Sequence, residues 1–74
     1  MPETDVLAKR VKAYRKGRSK NQPDLAWEMG LSTEEISLIE RGKTDPKLST
    51  LQKIAAHMGI TVSSLLETEQ QERR

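Results

Sequence analysis

The stretch that decides the fold is QPDLAWEMGLSTEEISLIER, residues 22–41. It holds two short apolar runs at helical spacing, separated by Gly30, which permits a tight turn between them. Four residues earlier, the small Ala26 allows the two helices to approach closely. The stretch therefore predicts two short helices that cross at a turn and share a core of five side chains: Leu25, Met29, Leu31, Ile36 and Ile39.

Polar residues mark the start of both helices. Asn21 can cap the first, Pro23 lies in the first turn where its missing N–H costs little, and Asp24 places negative charge at the positive helix end. Before the second helix, Ser32 and Glu35 form a capping box, in which each side chain satisfies a backbone donor of the other. The two boundaries are therefore predicted at Asn21 and Ser32.

The rest of the chain is predicted to be helical as well. Apolar residues keep helical spacing, and no long stretch alternates with the period of two that a strand requires. Glycines at positions 17, 30, 42 and 59 each follow such a run, and each is expected to end a helix. The other three helices are expected at about Asp5–Lys16 behind a Thr4 cap, at about Leu48–Met58, and from a Thr61 cap through Leu66.

The chain is short enough for a single domain. Its 74 residues predict one domain with an ordered core over about residues 5–66 and a polar tail at residues 67–74. The absence of cysteine excludes disulfides and thiolate metal sites and is compatible with a reducing compartment. No run of about 18 apolar residues and no signal-peptide pattern appear. We therefore expect a cytoplasmic protein that does not enter a membrane.

The sequence gives no indication of catalysis. His57 has no second His or Cys at ligand spacing, and the chain lacks a Ser/His/Asp set and a glycine-rich phosphate loop. A domain this small also has little room for a deep pocket. We expect no enzymatic activity, no catalytic residues, no metal, no cofactor and no small-molecule ligand.

Positive charge is concentrated near the N-terminus. The formal net charge is only +2, but residues 9–20 contain seven lysines and arginines. This clustering predicts one basic surface, with a merely solvated helix face as the alternative.

Positions of one motif are spread over about residues 7–66, within residues 22–41 and on either side of them. They are Arg15, Asn21-Gln22, Leu25-Ala26, Gly30, Ser32, Ile36, Ile39-Glu40, Gly42, Leu51, Ile54-Ala55 and Gly59. Their combination resembles the lambda-repressor-like helix-turn-helix family, the Cro and phage-repressor regulators of the xenobiotic-response-element type. The resemblance implies an all-α, five-helix DNA-binding domain with a central helix-turn-helix. It also implies a regulator of transcription, by default a repressor, that binds a palindromic operator in double-stranded DNA as a homodimer.

The third helix of this family enters the major groove, so one of its sides is expected to contact bases. On a helical wheel Ile36 and Ile39 point to the core, and the opposite side carries the predicted base contacts. These are Thr33, Glu34, Ser37 and Leu38. Glu34 can accept a hydrogen bond from cytosine N4, or it can simply favour the positive end of its helix, and both interpretations stay open.

The resemblance also implies contacts to the DNA backbone from the start of the second helix and from the loop after the third. The predicted backbone set is Gln22, Asn21, Arg41, Lys43, Thr44, Lys20 and Arg10. Asn21 is better explained as a helix cap, and Lys20 and Arg10 are the weaker candidates. For each lysine, a solvated surface charge is the alternative.

Arg15 and Glu40 both lie beside apolar stripes and are predicted to form a structural pair at the edge of the core. Trp27 falls opposite Leu25 and Met29, where it either marks a contact surface or, as we favour, lies flat over its neighbours.

Two predictions concern protein contacts. Trp27, Glu34 and Glu35 support an alternative function, an antitoxin-like or anti-regulator protein-interaction module on the same fold. The dimer surface is expected around Ile60 to Leu66, although the sequence alone does not separate such a surface from core packing.

Overall fold

The computed structural model describes residues 2–67 and contains five helices over that range. They are α1 (Pro2–Gly17), α2 (Gln22–Met29), α3 (Thr33–Glu40), α4 (Leu48–Met58) and α5 (Val62–Leu66). No strand occurs among these residues, so the predicted all-α class with five helices is confirmed. Apart from Glu67, the predicted polar tail lies outside the described residues, and the single-domain organisation stays a prediction.

The start of α1 differs from the prediction. The helix begins at Pro2 rather than Asp5, so Thr4 lies inside the first turn and the Thr4 cap is wrong. Proline is tolerated in a first turn because the N–H groups there have no partner within the helix. The left-handed residue after this helix is Ser19, with φ +57°, and not Gly17.

The turn between α2 and α3 has the predicted caps. The Asn21 side chain accepts a hydrogen bond from the Asp24 N–H at 2.8 Å. Gly30 takes a left-handed conformation with φ +76°, which a residue with a side chain rarely adopts. Ser32 Oγ accepts from the Glu35 N–H at 3.1 Å, and the Glu35 carboxylate accepts from the Ser32 N–H at 2.9 Å. Both predicted helix starts are therefore confirmed.

All five helices contribute to one apolar core. Its buried side chains are Leu7 and Val11 of α1, Leu25, Ala26 and Met29 of α2, Ile36 and Ile39 of α3, Ile54 and Ala55 of α4, and Leu65 of α5. Of the five core positions predicted in residues 22–41, Leu31 alone is only partly buried. Helix α3 packs against both α1 and α2, which fixes the side of α3 that faces outward. Between residues 2 and 67, no helix is long and apolar enough to cross a membrane.

Removing the Ser32 hydroxyl tests the capping box without disturbing the core. Ser32 is exposed, so Ser32→Ala deletes one hydrogen bond and no buried contact. We expect the free energy of unfolding to fall by about 1 kcal/mol, measured by urea unfolding followed by circular dichroism. Ser63→Ala, at an exposed serine of α5, is the control and should change it by less than about 0.5 kcal/mol. Equal losses in the two variants would contradict a capping role.

Candidate nucleic-acid interface

Helix α3 presents one side to the core and the other to solvent. Ile36, Ile39 and Glu40 are buried. The predicted base contacts lie on the opposite side, where Thr33 and Glu34 are exposed and Ser37 and Leu38 are partly buried. Because positions three to four apart are neighbours on a helix, these four side chains form one continuous surface. An isolated helix face of this kind fits the width of a major groove.

A buried carboxylate holds the C-terminal end of α3 in place. Glu40 accepts two hydrogen bonds from the Arg15 guanidinium, from Nε to Oε2 at 2.7 Å and from Nη2 to Oε1 at 2.9 Å. Gln22 Nε2 donates to the same Oε1 at 3.1 Å, and Arg15 Nη1 donates to the Lys20 carbonyl at 3.0 Å. The Glu40 side chain is only 1% exposed. Helices α1, α2 and α3 therefore meet at this one carboxylate.

Opposing effects set the ionisation of Glu40. Burial raises the pKa of the Glu40 carboxyl, but hydrogen bonds from Arg15 and Gln22 and the charges of Arg15 and Lys12 lower it more. The pKa of Glu40 therefore lies below its ordinary value. The hydrogen bond to Glu40 likewise raises the pKa of Arg15, although burial opposes this. Both groups are charged at neutral pH, as a salt bridge requires.

Asn21 and Gln22, the predicted DNA-backbone contacts at the start of α2, differ in the hydrogen bonds that they already make within the protein. Asn21 is engaged as the cap of α2. Gln22 uses one of its two amide N–H groups on Glu40, which leaves the other for a phosphate oxygen. Its bond to Glu40 places Gln22 beside the C-terminal end of α3.

The loop after α3 begins at that same end. Arg41 and Lys43 are exposed, whereas Thr44 is partly buried. Arg41 Nε donates to the Ser37 carbonyl at 3.3 Å, and its terminal nitrogens make no hydrogen bond or ion pair with residues 2–67. Gln22, Arg41 and Lys43 thus lie near the C-terminal end of α3, while Thr33 and Glu34 lie at its other end.

The two weaker backbone candidates have partners within the protein. Lys20 Nζ lies 2.7 Å from Glu28 Oε2. The Arg10 guanidinium donates to the carbonyls of Ser64 and, at 2.8 Å, Glu67, at the C-terminal end of α5. Arg10 thereby places a cationic group at the C-terminal end of a helix, where positive charge is favourable. The phosphate contacts of Lys20 and Arg10 stay predictions, and the sequence held no signal for these intramolecular ones.

Sequence reasoning also missed the role of His57. Its Nδ1 lies 2.7 Å from the Tyr14 hydroxyl, and its Nε2 lies 3.1 Å from Glu28 Oε1. The hydrogen bond from Lys20 is the main cause that lowers the pKa of Glu28. His57 thus links α4 to α1 and α2. Within residues 2–67, no group of His, Asp and Glu side chains is arranged to hold a metal ion.

Trp27 does not lie flat over its neighbours. The residue is 84% exposed, so the interpretation favoured from the sequence is wrong. The inward positions of α2 are occupied by Leu25, Ala26 and Met29, which leaves the indole on the outer side of a short helix.

Comparison with known proteins identifies the family. A family model described as helix-turn-helix matches residues 11–65, which run from the middle of α1 into α5. The chain belongs to this helix-turn-helix family. The predicted resemblance to lambda-repressor-like regulators is thereby confirmed, since the relatives include a phage repressor.

Individual relatives match across most of this chain. The chain is similar to the HTH-type transcriptional regulator DdrOP3 of Deinococcus deserti, with 41% identity over 82% of this chain and 47% of that protein. It is also similar to the immunity repressor protein of Bacillus phage phi105, with 40% identity over 86% of this chain and 44% of that protein. The chain therefore spans about half the length of these two relatives.

A solved structure shows the same arrangement of helices. The crystal structure of a hypothetical transcription factor from Neisseria superposes with a TM-score of 0.80 at 30% identity. The superposition covers 93% of this chain and 79% of that one. The fold described above is therefore also found in a crystal structure.

Substitutions at Arg15 and Glu40 test whether the pair holds the fold together. Either Arg15→Ala or Glu40→Ala leaves a desolvated charge without its partner, and we expect a loss on the order of 3 kcal/mol in unfolding free energy. This is the low end for buried pairs, because the Arg15 side chain remains 14% exposed. The double variant should lose less than the sum of the two single losses. Glu34→Ala, at an exposed glutamate of the same helix, is the control. Losses below about half a kcal/mol in both single variants would contradict the role.

The lowered pKa of Glu40 predicts how stability depends on acid. The pKa of the Glu40 carboxyl is lowered in the folded state, so its ionised form stabilises the fold. This contribution is fully present above the pKa of the unfolded state, about 4.3 for glutamate. It is lost as the pH falls through the pKa of the folded state. Wild type should therefore exceed Glu40→Gln in stability near neutral pH, and this difference should shrink as the solution is acidified below about pH 5. Urea unfolding at a series of pH values measures the difference. A gap that stays constant into strong acid would be inconsistent with an ionised Glu40.

Proposed function

We propose that this chain is a sequence-specific regulator of transcription that binds double-stranded DNA with α3 in the major groove. The observation that carries the proposal is the exposed side of α3, held by a buried ion pair at its far end. The relatives support it, because their names describe HTH-type transcriptional regulators and an immunity repressor. We further propose that the protein acts in the cytoplasm as a repressor, as a homodimer on a palindromic operator, and by binding rather than by catalysis.

Base contacts and backbone contacts are assigned to different ends of α3. Thr33 and Glu34, at the N-terminal end, contact base edges, with Ser37 and Leu38 further along the helix. Glu34 carries a negative charge into a groove lined by phosphates, so it disfavours binding unless it meets a donor such as cytosine N4. Gln22, Arg41 and Lys43 hold the phosphates at the opposite end.

A second candidate function is the protein-interaction module. The exposed Trp27 favours it, since a large aromatic side chain at the surface is a common anchor in protein interfaces. Selection from a random library of DNA duplexes separates the two functions. The interaction module binds no particular DNA sequence, whereas the regulator does.

The test is selection from a random duplex library at two salt concentrations, about 50 mM and about 200 mM. We expect an enriched palindrome whose half-sites lie about one helical turn apart, near 34 Å. Recovery of no palindrome, together with binding that survives only at low salt, would reject the proposal.

Two variants then assign the contacts. Glu34→Gln should change the preferred base at one position of each half-site, by about 1–3 kcal/mol of discrimination. Lys43→Ala should weaken all sequences alike and reduce the slope of log affinity against log salt by about 1 per bound subunit. Lys9→Ala, at an exposed lysine of α1, is the matched control and should leave the slope unchanged. The assignments fail if Lys9 and Lys43 behave alike or if Glu34→Gln keeps the same base preference.

A further inference from the structure

The first turns of α1 lie against the loop that follows α3. Gly42 turns this loop with φ +66°, in the left-handed region that favours glycine. A Cβ atom placed on Gly42 would lie 3.5 Å from Asp5 Oδ1 and 4.0 Å from the Thr4 carbonyl oxygen, both van der Waals distances. Helix α1 also packs against α3 itself. The N-terminal part of α1 therefore brings a carboxylate to this loop.

The Asp5 carboxylate lies beside two cations. Arg41 and Lys43 flank Gly42 in the chain, and both are exposed, as Asp5 is. Because neighbouring Cα atoms are about 3.8 Å apart, the Cα atoms of both cations lie within about 9 Å of Asp5 Oδ1. Asp5 forms no direct ion pair with either of them. Its negative charge therefore acts on the loop through space.

Asp5 differs in this respect from the other carboxylates on and after α3. Glu40 is buried and neutralised by Arg15, and Glu34 lies at the opposite end of the helix. Asp45 lines a cleft together with two lysines. Asp5 is also the fourth residue of α1, where a negative charge favours the helix dipole. That local role does not involve the loop, so experiment can separate it from an effect on the loop.

We propose that Asp5 restrains the attraction of loop residues 41–43 for phosphates, so that duplexes lacking the correct bases are bound only weakly. A phosphate held at this loop lies about 10 Å from the carboxylate, which is about one Debye length at 0.1 M salt. At that distance in water, one pair of like charges lowers an association constant about twofold. Charge carries no sequence information, so the restraint weakens binding to all duplexes alike. The inference rests on the proposed function, in which Arg41 and Lys43 contact phosphates.

Fluorescence anisotropy with a random-sequence duplex measures this restraint. Asp5→Asn keeps the shape of the side chain and removes its charge, and it should tighten binding about twofold to fourfold at about 20 mM salt. The gain should shrink at about 200 mM salt, where screening is stronger. The matched control is Glu67→Gln, which removes the same charge at the C-terminal end of α5 and should give a smaller gain. Circular dichroism verifies that the variants fold.

Two further variants test whether the charge acts at the loop. Asp5→Lys reverses the charge and should increase the gain to about the square of that in Asp5→Asn. In a Lys43→Ala background the gain from Asp5→Asn should be smaller, because a phosphate contact beside Asp5 is then lost. A role at the helix start alone predicts lower stability in Asp5→Asn without tighter binding.

Three results would overturn the proposal. The first is an unchanged affinity in Asp5→Asn, and the second is an equal gain in Glu67→Gln, which would make net charge the cause. The third is a gain of unchanged size in the absence of Lys43, since the charge would then act elsewhere than at the loop.

Retention on immobilised heparin separates this proposal from the proposed function, because heparin is a sulfated polyanion without bases. Asp5→Asn should elute at higher salt than both wild type and Glu67→Gln. If library selection enriches no operator but this elution order is observed, the proposal of a specific regulator fails and the restraint by Asp5 stands. If an operator is enriched but Asp5→Asn elutes and binds as wild type does, the restraint fails alone.

Discussion

The rest of the structure depends on the ion pair between Arg15 and Glu40. Glu40 is almost completely withdrawn from solvent and accepts hydrogen bonds from α1 and from the start of α2. A carboxylate in that position is costly unless its partners are in place, so a different packing of α3 would leave the charge uncompensated. Apolar side chains alone tolerate many similar packings, because their contacts have little directional preference. The two hydrogen bonds between Arg15 and Glu40 are directional, and they thereby fix the orientation of the exposed side of α3.

This arrangement also determines how charge is distributed along α3. Because Glu40 and Arg15 neutralise each other, the C-terminal end of the helix carries no net negative charge from the pair. The exposed cations Arg41 and Lys43 follow directly in the loop, so that end is suited to phosphates. At the other end, Glu34 and Glu35 stabilise the helix start, and Glu35 is occupied by the capping box. Under the proposed function, attraction to any DNA and choice among sequences therefore fall to different residues.

The features that could be predicted from the sequence are mostly local ones. The Asn21 cap, the Ser32–Glu35 box and the buried side of α3 each depend on residues within about four positions of one another. Contacts between distant segments were harder to predict. Arg10 binds carbonyls at the end of α5, and His57 joins Tyr14 to Glu28, and neither follows from any spacing along the chain. Arg15 and Glu40 are an exception, because both lie at the edge of an apolar stripe and the family motif contains both. The exposure of Trp27 was predicted incorrectly because a helix of eight residues offers its outer side few neighbours.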